Sequence, residues 1–573
     1  MGVNVLRSVL KSLFSRADAE RAAPDLRAAQ DAHARGDVES ALALVRERLA
    51  RVPGDAAARY CAGLWLAQAG RTMEARPHLE QAVEGRPADP DAWLVLGNVR
   101  RALGDAASAE SCYRRAVALA PDSAGAQYNL GLVLKMASAE AALPHFQRAC
   151  VVAPEFEDAQ FECVLALVRC GRLADAQAHA AQARALLPAS GRLAAAAGYA
   201  QQKDHRPDAA LALYDEAQRL GAADHELWNN RGIVLQDLGR VDDALAAYDR
   251  ALQLKPDFVL ARFHRALARL ARREYGTAWD DYELRLQSED RPAEPVGGRP
   301  WTGEPLMGRS IVVIGEQGLG DEIMFASCVP DLLARGARTT LACTPRLAPL
   351  FRRSFPQAAV VAPSAGRPLE VGADFRVYAG SLPAHFRRNA ADFPPHAGYL
   401  QADPARVAYW RERLAALGPG VKLGISWRGG TAKTRAPLRH VPLAEWQPLF
   451  GLSGVRYVSL QYGESDEVRR AGHDVAIFRE ALDDYDETAA LVAALDGVVS
   501  VCTAVIHLAG ALGRPAWVIA PASPEWRYGI AGDRMDWYPS VRVFRQRVPG
   551  AWTPVIADVT DSLRHAREMR PVP

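Results

Sequence analysis

Cysteine is scarce in this chain of 573 residues: there are eight, and no two form a CxxC pair. That excludes a disulfide scaffold and a zinc ribbon, and it fits a reducing compartment. An excess of one charge is also lacking. Lys plus Arg is 69 and Asp plus Glu is 67, a formal net charge of +2, so bulk electrostatics gives no sign of a nucleic-acid partner. No apolar run reaches the roughly 18 residues that a membrane span needs. The opening MGVNVLRSVLKSLFSR is interrupted by Arg7 and Lys11, so it lacks the apolar core and cleavage site of a signal peptide. Residues 1–21 read as a leader that can at most form an amphipathic helix touching a membrane. The expected location is the cytoplasm, with the inner face of the membrane left open. Hydrophobic residues at 49% and charged residues at 24% describe a soluble globular chain, long enough for about three or four domains.

Self-similarity dominates the first half. Residues 90–123 carry Trp93, Leu96, Gly97, Ala109, Tyr113, Ala116 and Pro121; residues 225–258 carry Trp228, Gly232, Ala244, Tyr248, Ala251 and Pro256 at matching offsets. This is the tetratricopeptide signature, with a period of about 34 residues. The register extends back through Gly63 and Gly36 and forward through Gly131, Gly198 and a degenerate copy at Ala266, Ala278 and Tyr282. About eight units are expected over 22–286. Each is two antiparallel helices, with Gly97 and Ala109 at the close approach and Tyr113 filling the space between. Pro121 stops the second helix. Such an array binds a peptide or protein, or serves as a spacer or dimerisation surface.

Between 287 and 308 the text turns to Pro, Gly and charge, the mark of a linker, with Trp301 and Leu306 pinning it to a domain face. Strands and helices then alternate. A Rossmann-like subdomain is expected over 309–403, a connecting helix over 404–420, and a second subdomain with a C-terminal helix over 421–573. Ligands in such folds bind beyond the carboxyl ends of the strands, in the crevice.

Four loops hold the candidate chemistry. In GEQGLGDEI, Gly318 and Gly320 permit a tight strand-to-helix turn, and Asp321 stands at the helix start. There it is either a helix cap or a general base. The loop has neither the GK[ST] of a Walker motif nor a full dinucleotide fingerprint. In SWRGGTAKTR, Trp427 precedes Arg428, Lys433 and Arg435, which suit a diphosphate or form a solvated basic loop. In SVCTAVIHLAGALG, Thr503 and Ala504 open a helix whose free N–H groups can hold phosphate. His507, four residues on, either shares that face or is a satisfied core histidine. In ASPEWRYG, Glu525, Trp526 and Arg527 can flank a base or sugar, or form a packed rim. No second histidine lies at metal spacing, so no metal is expected.

The stretches VVIGEQGLGDEIMFASCVPDL, LGISWRGG and AALVAALDGVVSVCTAVIHLAGALGRPAWVIAPASPEWRYG resemble the glycosyltransferase family that includes the ADP-heptose:lipopolysaccharide heptosyltransferases, here fused to tetratricopeptide repeats. The resemblance implies a GT-B fold and an inverting, metal-independent enzyme that needs no cofactor. It implies a nucleotide-diphosphate sugar as donor and a protein or glycan acceptor. By that resemblance Asp321 is the catalytic base. Gly318, Gly320, Arg428, Lys433, Thr503, Ala504 and His507 hold the donor. Trp427, Glu525, Trp526 and Arg527 are the candidates for contacts to its base or sugar, on their own residue types rather than on the resemblance. One departure stands out: Cys502 occupies a position where relatives usually carry Asp. The leading expectation is therefore a glycosyltransferase whose repeats recruit acceptor or partner. The alternative is a non-catalytic, repeat-based interaction scaffold with a vestigial transferase domain. A third reading is another nucleotide-handling enzyme on the same fold. A cleft filled by side chains would favour the scaffold.

Overall fold

The structure, a computed structural model, describes residues 24–287, 297–362, 371–430, 436–463 and 466–568. The leader, Lys433, Arg435 and residues 288–296 of the linker lie outside them. The chain forms two compact units, 1–223 and 224–573.

The first unit is an α-solenoid of tetratricopeptide-like helices. Its described residues form six helix pairs, from Pro24–Ala34 with Val38–Arg51 to Gly191–Lys203 with Pro207–Arg219. The small-residue expectation holds in detail. A Cβ added at Gly97 would stand 2.6 Å from the Tyr113 ring, one at Gly131 2.6 Å from Phe146, and one at Gly198 2.8 Å from Tyr214. The missing side chain on one helix is thus the seat for the bulky one on its partner. Helix starts are closed by short polar side chains. Asp37, Asp55, Asp89, Asp105, Ser123, Ser138 and Ser190 each accept a backbone N–H of the first turn, which satisfies donors that the helix itself cannot.

The second unit begins with two more pairs, His225–Asp237 with Val241–Leu254 and Val259–Ala271 with Tyr275–Tyr282. It continues into a mixed α/β region with two sheets. The first sheet has five parallel strands in the order β1 (Arg299–Pro300), β5 (Phe375–Tyr378), β2 (Ser310–Ile314), β3 (Arg338–Ala342), β4 (Ala359–Val361). The second has seven, in the order β11 (Arg534–Met535), β12 (Tyr538–Arg545), β10 (Ala516–Ala520), β9 (Gly497–Val501), β6 (Val421–Ser426), β7 (Val455–Ser459), β8 (Val475–Ala476). Among the described strands of the two sheets, only the β11–β12 pairing is antiparallel. The central strands β2, β6, β9 and β10 are buried on both faces, as parallel strands covered by helices require. Trp301 and Leu306 are buried, so the end of the linker does hug a domain face. Among the described residues, no helix is long and apolar enough to cross a membrane.

The last repeat helices pack directly on the α/β region. Trp279 is fully buried, sits edge-on to Trp526 at 5.6 Å, and donates its indole N–H to the Arg387 carbonyl at 2.8 Å. Tyr275 donates to Asp536 at 2.6 Å. Arg285 grips Glu316 with two N–H groups, at 3.1 and 2.7 Å.

Candidate functional site

The loop after β2 and the helix Leu319–Phe325 carry the first group of expected site residues. Gln317, just before the turn, is a non-glycine residue at φ +71°. Its side chain holds it there: it donates to Tyr282 Oη at 2.8 Å and accepts from Arg527 at 3.3 Å. Gly318 is extended, at φ 170°, so its backbone does not demand glycine. Gly320 does, for a different reason. An added Cβ would stand 3.0 Å from the His507 ring and 3.4 Å from Ala504 Cα. The first-sheet helix therefore lies against the start of the second-sheet helix Ala504–Ala511. The structure thus brings Gly320, Asp321, Ala504, His507 and Arg527 together.

Asp321 neither caps its helix by a side-chain bond nor points into open space. Arg527 reaches it from the loop after β10, with Nε donating to Oδ1 at 2.5 Å. The side chains are 17% and 11% exposed. Burial raises the Asp321 carboxyl above the ordinary range, against the pull of the Arg527 guanidinium. Arg527 also bonds Glu525 at 3.1 Å, and Glu525 is paired with Arg439 in turn. The result is a closed chain of charges, Asp321–Arg527–Glu525–Arg439, in which each carboxylate meets a guanidinium.

His507 is 4% exposed and lies between two tyrosine hydroxyls, Nδ1 at 3.2 Å from Tyr538 Oη and Nε2 at 3.3 Å from Tyr528 Oη. Burial, reinforced by Arg527 and Arg439, pushes its pKa down to about 3. It is a neutral imidazole with both nitrogens engaged. Thr503 bonds sideways to Ser500 Oγ at 3.0 Å and does not cap the helix. Cys502 is buried, and burial pushes its thiol up to about 12.

The remaining candidates disperse. Trp427 is wholly buried, in a cluster with Ile425 and Trp446. Arg428 pairs with Glu467 at 3.0 Å. Trp526 is packed between Trp279 and Tyr282. Sequence reasoning missed the partners that close the site. Tyr282, Gln317 and Tyr528 lie inside motifs that the sequence singles out, but none of them is read there as a site residue, and Tyr538 and Trp279 lie in no motif.

Tetratricopeptide-repeat profiles match residues 26–92, 66–130 and 225–258. Protein FlbA of Caulobacter vibrioides is 32% identical over 501 residues, covering 82% of this chain and 84% of that protein. The peroxisomal targeting signal receptor of Saccharomyces cerevisiae matches 61 residues at 39% identity, 11% of this chain and 10% of the receptor. Among solved structures, a tetratricopeptide repeat protein from Parabacteroides merdae covers 43% of this chain and 97% of its own, at 15% identity and a TM-score of 0.35. The thermophilic repeat protein TTC0263 of Thermus thermophilus covers 32% and 100%, at 25% identity and a TM-score of 0.28.

The FlbA match corrects the heptosyltransferase resemblance. FlbA is 32% identical over 82% of the chain, whereas the resemblance, though it spanned 308–548 and took in the repeats, was carried by motif stretches alone. Those stretches specify strand–turn–helix geometry, which a doubly wound sheet needs whatever it does. The expectations of a glycosyltransferase, of an inverting enzyme and of a nucleotide-diphosphate sugar donor are withdrawn with it. By its similarity over more than four-fifths of its length, the chain belongs to the family of Protein FlbA.

Proposed function

We propose that this protein is a non-catalytic interaction scaffold. Its repeats bind a peptide or protein segment, and its α/β region is a GT-B-type pair of Rossmann-like subdomains kept for its shape rather than for chemistry. The observation that carries this reading is the contact of the Leu319–Phe325 and Ala504–Ala511 helices, with Asp321 taken up by Arg527 and His507 by two tyrosines. A general base needs a lone pair within reach of the proton it takes; here Asp321 Oδ1 accepts from Arg527, and both His507 nitrogens meet tyrosine hydroxyls. The closed chain of charges instead ties the first sheet's loop to the second's. The exposed first-helix cations Arg101 and Lys203 give the repeats polar handles of the kind a peptide contact uses.

The test is rescue of a strain lacking the chromosomal copy. The wild-type chain and Asp321→Asn, at equal protein level, should restore the deletion phenotype equally, because Arg527 keeps Glu525 as partner. The double change Arg101→Glu, Lys203→Glu should lower rescue at least several-fold. A folded Asp321→Asn chain that fails to rescue, beside a repeat variant that succeeds, would overturn the scaffold.

A further inference from the structure

In the first unit, Cys150 lies on the helix Ala139–Val152, Cys163 on Glu157–Arg169 and His179 on Leu173–Leu186. Their ligand atoms all fall within 4.8 Å of one another, and among the described residues no other group of three or more such side chains does this. Cys163 is fully buried and Cys150 nearly so, in an apolar cluster with Leu143, Phe146, Val164 and Ala180. The His179 side chain is half-buried, yet its Nε2 is buried with no hydrogen-bond partner. A buried imidazole nitrogen without a partner is costly, and two thiols beside it are poor partners.

We infer that Cys150, Cys163 and His179 form a structural site for a zinc-class divalent cation that clamps the fourth helix pair to the fifth. The donor set selects the metal. Soft sulfur and imidazole ligands suit zinc and exclude magnesium and calcium. Charge agrees: two thiolates and a neutral imidazole around a dication make a neutral centre, the form that an apolar core tolerates. Tetrahedral zinc places sulfur ligands about 3.8 Å apart, so the three atoms need only a small approach. A tetrahedral ion held by these three residues would take a water as its fourth ligand. Binding replaces two S–H bonds by two metal–thiolate bonds and releases two protons to solvent. Nothing is oxidised. The spacing of 13 and then 16 residues between ligands matches no sequence motif, because the three meet only when consecutive helices stack.

The full chain, purified under reductant, stripped with chelator and titrated with zinc chloride, tests this. About one zinc per chain should bind, and the melting temperature should rise by several degrees. Cobalt(II) in its place should give the thiolate charge-transfer and intense visible bands of tetrahedral coordination. Cys163→Ser should abolish both. Because serine in that core can loosen the joint, His179→Gln, on the half-buried side, is the second variant. It should stay folded by circular dichroism and lose zinc at least tenfold. Zinc content unchanged in both variants would overturn the site. So would a Cys150–Cys163 disulfide in the untreated chain with no metal uptake after reduction, or tight binding of copper(I) with none of zinc.

Discussion

Gly97 meets Tyr113 about half a repeat further along the chain, and Gly131 meets Phe146 in the same way. In the second unit, Tyr275 meets Asp536 across 261 residues, Arg527 meets Asp321 across 206, and Trp279 meets Arg387 across 108. The first unit is thus a set of near-copies of one local joint, and losing one joint leaves its neighbours in place. The second is built from contacts that each occur once. Its first two helix pairs are part of that construction, although their residue pattern is that of the repeats. Pattern divides the chain near 287–308, and compactness divides it after Ala223. The two criteria differ because Trp279 and Tyr275 spend their side chains on the α/β region rather than on a next repeat.

The largest effect that would test this contrast is Trp279→Ala. The side chain is fully buried against Trp526 and Trp537 and holds the Arg387 carbonyl. Its loss should cost the second unit about 3–5 kcal/mol, read by denaturant unfolding. Hydrogen exchange should quicken throughout 224–568 and stay unchanged in 24–203. Equal loss of protection in both would show that the units are one cooperative body.

Gly97→Ala is the matching change in the first unit. The added Cβ, 2.6 Å from the Tyr113 ring, should cost about 1–3 kcal/mol by overpacking. Exchange should quicken around 90–119 only. Tyr113→Leu in the same chain should return part of the loss, since the two residues share one space. If the loss spreads to all six pairs, the joints are not independent.

This contrast also explains what was legible from residues alone. The repeat register gave the helix pairs and the glycine–aromatic seats, because period and contact lie within one unit of sequence. The parallel strands were legible too. Ser310–Ile314, Ala359–Val361 and Gly497–Val501 are apolar runs between turn residues. The strand Tyr538–Arg545 was not. Its text, YPSVRVFR, contains Pro539 and alternates Val541 and Val543 with arginines, a mixture that neither the helical nor the buried-strand pattern picks out. At the candidate site, Asp321, Thr503 and His507 were legible as positions. What occupies them was not, because Arg527 reaches Asp321 from the other sheet, and Tyr528 and Tyr538 reach His507 from the loop after β10 and from β12 of its own sheet, 21 and 31 residues away. The same motif text serves an open cleft or a filled one.

The smallest expected effect concerns His507 and distinguishes a packed core from a solvated cleft. Between its two tyrosines, burial holds the imidazole pKa down to about 3, against about 6.5 in an unfolded chain. Between those values the unfolded chain binds a proton that the folded one refuses, so stability falls as pH falls. The loss begins as pH drops through about 6.5 and grows until the folded value is reached. At pH 6 it amounts to about 0.7 kcal/mol relative to neutral pH. Half-buried histidines, His33, His78 and His396 among them, are also lowered by partial burial and act in the same direction. The informative quantity is therefore a difference. His507→Gln, which keeps polar groups for Tyr528 and Tyr538 and takes up no proton, should flatten the slope of unfolding free energy against pH. The change should approach one proton between pH 6 and pH 4.5. Its stability at pH 8 will be lower, because the aromatic packing is lost, but the slope does not depend on that offset. An unchanged slope in a folded His507→Gln chain would mean that the imidazole titrates normally and faces solvent. The space between the two helices would then be open, and the filled-cleft basis of the scaffold would fail with it.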